Sequence, residues 1–149
     1  MAKEFMQNAY IVNAIAPQAI ASSSEQLGTA IDLQNATVGQ FSDLTFVLTT
    51  DNVATVTTFV IKESSDNSTY TAITSATVTT TTGTAGTYMI NVSTGGPRLR
   101  YMKVSLTASN STSHVVGCVA IGGYPAFGVN GTTEALRATN AGLVARAVV

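Results

Sequence analysis

Between residues 28 and 125 apolar and polar side chains alternate with a period of two, the pattern of half-buried β-strands. Leu44, Phe46 and Leu48 fall on one side of such a strand, with Thr45, Val47 and Thr49 opposite. Residues 54–63 (ATVTTFVIKE) are β-branched or aromatic almost throughout. They run into Ser64-Ser65-Asp66-Asn67-Ser68, a cluster of turn formers, and then into a second short strand over 69–73. Strands are also predicted over 30–33 and 76–82. Tyr88, Ile90 and Val92 mark one face of a strand over 87–92, and Met102, Val104, Leu106 and Ala108 mark one over 100–108. Residues 114–121 are apolar on both faces, which predicts a central strand. Gly83 to Gly86, Gly95-Gly96-Pro97, Asn110-Ser111-Thr112 and Gly122 to Pro125 break the chain between them.

About eight strands with no helical period between them predict an all-β fold, an antiparallel β-sandwich or jelly roll. Residues 28–125 supply the ~100 residues such a core needs. The flanks are divided as an N-terminal arm or edge strand over 1–27 and a C-terminal arm over 126–149. Both are too apolar for free tails, with Phe5, Tyr10, Ile11 and Ile15 in one and Leu136, Leu143, Val144 and Val148 in the other. They either add to their own domain or dock on neighbouring subunits. Phe5, Tyr10, Ile11, Leu136, Leu143 and Val144 are the interface candidates.

Composition sharpens this picture. Charged residues are 10% of the 149, against a typical ~25%, and Thr, Ser, Asn and Gly take their place. Such a surface is cheaper to strip of water than a Lys/Glu surface, as interface centres require. Net charge is −1, and the basic residues are scattered, so no nucleic-acid partner is expected. No run approaches the ~18 apolar residues of a membrane span. Lys3 and Ala19-Ile20-Ala21 loosely suggest an export signal, but Glu4, Gln7, Asn8, Asn13, Pro17 and Gln18 interrupt its apolar centre.

The chemistry of catalysis is sparse. Cys118 stands alone in an apolar run, as a core residue would. His114, the one histidine, follows a Ser/Thr turn and opens a strand, with no obvious catalytic partner. No nucleophile elbow, phosphate loop or metal-ligand spacing is present, so neither enzyme, metal nor cofactor is expected. Glu63, Asp66 and Asn67 could approach a calcium ion, though Asp66 reads more simply as a turn former. Tyr70, Tyr88, Tyr101 and Tyr124 could offer stacking surfaces to a sugar in a chain without Trp. Five Asn-x-Ser/Thr triplets, at Asn35, Asn67, Asn91, Asn110 and Asn130, are what this composition produces by chance.

Residues 59–73, FVIKESSDNSTYTAI, resemble a hairpin found in small virion proteins of tailed bacteriophages. Gly86-Thr87-Tyr88-Met89-Ile90 and Arg100-Tyr101-Met102-Lys103-Val104 are similar to two later strands of the same proteins. The likeness spans roughly 28–121 and is closest to head decoration (cement) proteins. It implies a virion structural protein made in the host cytoplasm and carried on the capsid surface. It further implies a homotrimer bridging capsomers, with the major capsid protein as partner. Two other roles stay open: a carbohydrate- or receptor-binding module of a tail or fibre, and a tail-tube subunit.

Overall fold

The computed structural model describes residues 9–21, 23–34, 43–51, 55–81, 84–94, 98–123 and 143–148. They form ten strands and, among the described residues, no helix: β1 (Ala9–Ile20), β2 (Gln26–Leu27), β3 (Ile31–Asp32), β4 (Asp43–Thr50), β5 (Thr57–Ser64), β6 (Thr71–Thr79), β7 (Gly86–Ser93), β8 (Tyr101–Ala108), β9 (His114–Gly123) and β10 (Leu143–Val148). Sheet A has the order β1-β9-β4-β7-β10; sheet B has β2-β8-β5-β6, with β3 also on β8. Every pairing is antiparallel except β10 on β7. The all-β sandwich predicted from the alternation is therefore the fold.

The core lies between the sheets. Phe46, Leu44 and Leu48 from β4, Tyr88, Ile90 and Val92 from β7, and Val116, Cys118 and Ala120 from β9 face inward from sheet A. Phe59 and Ile61 from β5 and Met102, Val104 and Leu106 from β8 face them from sheet B. Those of β4, β7 and β8 are the side chains the period of two assigned to one face. Burying such large apolar groups, at roughly 1.5–3 kcal/mol each, is what drives the sheets together.

The differences from the sequence reading are informative. Residues 69–73 and 76–82 are not two strands but parts of one, β6, bent in its middle. Ser75 adopts φ 69°, and the register on β5 slips between Val60 and Lys62. A β-bulge of this kind breaks the alternation without ending the strand. The strand over 30–33 shrinks to the two residues of β3. At the N-terminal side, Ala9–Ile20 pairs with β9 as an edge strand of sheet A, with register shifts between Asn13 and Ile15 and between Ile15 and Gln18. The Gly95 to Pro97 break lies outside the described residues.

Gly28 and Thr29 tie the two sheets at this side. Gly28 N–H donates to the Val104 carbonyl of β8 at 2.8 Å, and Thr29 N–H donates to the Ala14 carbonyl of β1 at 2.7 Å. Consecutive residues thus bond one sheet each. A Cβ on Gly28 would lie 2.4 Å from the Ala14 carbonyl oxygen, so only glycine fits this crossing.

Candidate interaction face

Each sheet turns one face outward, and the two faces differ in kind. On sheet B, outward residues carry charges that are already matched. Lys62 pairs with Glu25, which also accepts a hydrogen bond from the Ser105 hydroxyl. Those two donors, Lys62 first, hold the Glu25 carboxyl below its usual range. Arg100 grips Asp32 with two bonds, 3.0 and 2.8 Å, and lowers its pKa in the same way. The Lys103 ammonium lies 4.4 Å from the centre of the Tyr70 ring, and the Arg100 guanidinium 5.0 Å from that of Tyr101. This is a solvated face with its electrostatics closed on itself.

Sheet A is different. The ladder registers set its outward side chains in rows across the strands. One row runs Ile11 (β1), Ile121 (β9), Thr45 (β4), Asn91 (β7); the next runs Asn13, Val119, Val47, Met89; the third holds Gly117, Thr49 and Thr87. The middle row is an apolar band across three strands. Ile11 is 45% exposed, and Val119, Val47, Met89 and Ile121 are half-buried by their own neighbours. None of the residues named in these rows carries a charge, but charges border them: β10 places Arg146 in register with Met89, and Asp43 opens β4 two residues before Thr45. The polar members of the rows are partly paired among themselves: Asn91 Nδ2 donates to Thr45 Oγ1 at 2.7 Å, and Thr49 donates to the Gly117 carbonyl at 3.4 Å. An antiparallel sheet exposed to water normally alternates apolar inside with polar outside. Here β9 is apolar on both sides, as its sequence indicated.

A scan against models of known families finds no match. Searches of curated proteins and of solved structures find none either.

The interface candidates from the sequence separate in the structure. Ile11 stands on the outward face of sheet A, whereas Tyr10, its neighbour, packs against the core. Leu143 and Val144 lie in β10, and Phe5 and Leu136 fall outside the described residues. The residues that compose the band, Val47, Met89, Val119 and Ile121, were missed because each sits in a strand whose other face supplies the core. Their signal was present: Val47 and Met89 are apolar residues on the face opposite the buried alternation.

The remaining chemical candidates are accounted for locally. His114 is buried, with Nδ1 3.0 Å from the Thr112 carbonyl and Nε2 3.0 Å from Thr57 Oγ1. A carbonyl can only accept, so in the neutral ring Nδ1 donates and Nε2 accepts from the Thr57 hydroxyl. Both partners are uncharged, and Thr57 is itself fully buried, so the pair serves packing. Burial pushes the Cys118 thiol up to about 12. Asp66 accepts from Ser68 N–H, Thr69 N–H and the Ser64 hydroxyl, which depress its pKa to about 2. That carboxylate closes the 65–69 turn, where Asn67 takes φ 60°. Among the described residues no group of three His, Cys, Asp or Glu could hold a metal ion. Nor does any helix among them have the length and apolarity to cross a membrane. Of the tyrosines, Tyr88 is buried and accepts from Thr81 N–H, while Tyr70 and Tyr101 are each covered on one ring face by a cation. Tyr124 lies outside the described residues.

Proposed function

We propose that this chain is a non-enzymatic structural subunit of a virion, a head decoration (cement) protein of the tailed-bacteriophage type. It self-associates and adds contacts to a shell lattice. The observation that carries this reading is the outward face of sheet A: an apolar band of Val119, Val47 and Met89 among uncharged Thr, Asn and Gly positions, with Arg146 and Asp43 only at its margins. A face so poor in charge gains little from water and loses little when covered.

Magnitude supports many weak contacts rather than one strong one. Four strands about 4.8 Å apart and six residues long at ~3.3 Å give a face of roughly 400 Å². If about half is apolar, covering it yields ~5 kcal/mol. Association alone costs an estimated 4–15 kcal/mol, so a single face holds loosely. Copies linked to one another and to a lattice bind by effective concentration instead, which is how a cement protein must act.

The capped rings of Tyr70 and Tyr101 leave less room for sugar stacking, so the carbohydrate-binding alternative is the weaker reading. The test is co-sedimentation of the purified chain with tailed-phage heads stripped of their own decoration subunits. Saturable binding supports the proposal; a chain that stays in the supernatant at every concentration removes it.

A further inference from the structure

We draw no further inference here: the strongest candidate, the apolar band of Val47, Met89 and Val119 on the outward face of sheet A, carries none, because nothing in the structure shows what covers it.

Discussion

Replacing Gly28 with alanine tests the tie between the sheets. The new methyl carbon would sit 2.4 Å from the Ala14 carbonyl oxygen and 3.0 Å from both Ile15 Cγ1 and Val104 Cγ1. Ordinary C···O contact begins near 3.3 Å, so the overlap is about 0.9 Å and the backbone of one sheet must move. The displaced oxygen is the one that accepts from Thr29 N–H at 2.7 Å. Overpacking of this kind costs about 1–3 kcal/mol, and a buried hydrogen bond left unmade a further ~1–3 kcal/mol. Stiffening of the unfolded chain returns about 0.4–1 kcal/mol. The net loss is therefore about 1–5 kcal/mol, centred near 3, or roughly 5–15 °C in Tm at the centre for a chain of this size. Urea unfolding followed by circular dichroism measures it, with a lowered midpoint and an unchanged m-value. Gly117→Ala is the control: its nearest neighbour is the Thr49 hydroxyl at 3.3 Å, which can rotate, and the expected cost is below about 1 kcal/mol. If Gly28→Ala costs no more than Gly117→Ala, the claim that residues 28 and 29 pin the two sheets is refuted.

Other predictions concern single groups. Thr57→Val keeps the shape of the side chain but leaves His114 Nε2 buried without its donor. It lowers stability by about 1–3 kcal/mol in a denaturant melt, and an effect under ~0.5 kcal/mol would contradict the bond. Asp66 has its pKa depressed from 3.8 to about 2, so it favours the folded state above its ordinary value, and that contribution is lost as pH falls from near 4 through about 2. Glu25 and Asp32, also lowered, act in the same direction. Thermal melts against pH will show the native protein and Asp66→Asn converging on the acid side; parallel curves down to pH 2 would argue against the turn network. Cys118, buried with its thiol pushed up to about 12, stays unlabelled by a thiol reagent at pH 8 until denaturant is added. Rapid labelling of the folded protein would mean that sheet A opens at β9.

The fold was legible because period two is a direct image of a two-faced strand. Phe46, Ile90 and Val104 could be assigned inward from the sequence, and all three are fully buried. The double-sided apolar run of β9 likewise announced an interior strand, which β1 and β4 flank. Bulges were not legible. Nothing in Thr74-Ser75-Ala76 marks a residue at φ 69°, since Ser has no special ease in that region, and the strand was divided in two. The pairing of β10 with β7 was equally hidden, because a parallel partner can lie far away in sequence. The candidate face was half legible. Apolar residues at the termini drew attention, whereas the band depends on which strands are neighbours. Val119, Val47 and Met89 are far apart in the chain and meet only through the β9-β4-β7 order.

Thr/Val-rich strands are also the raw material of amyloid, and copies crowded on one surface would be at risk of zipping together edge to edge. Three of the four borders of this sandwich work against that. On sheet A, β1 is kinked twice between Asn13 and Gln18 and contains Pro17, which has no N–H to offer an incoming strand. On sheet B, one border is the bulged β6, and the other is made of β2 and β3, two residues apiece. Such irregular margins give a foreign strand little straight template to copy, and so discourage fibre growth at these edges.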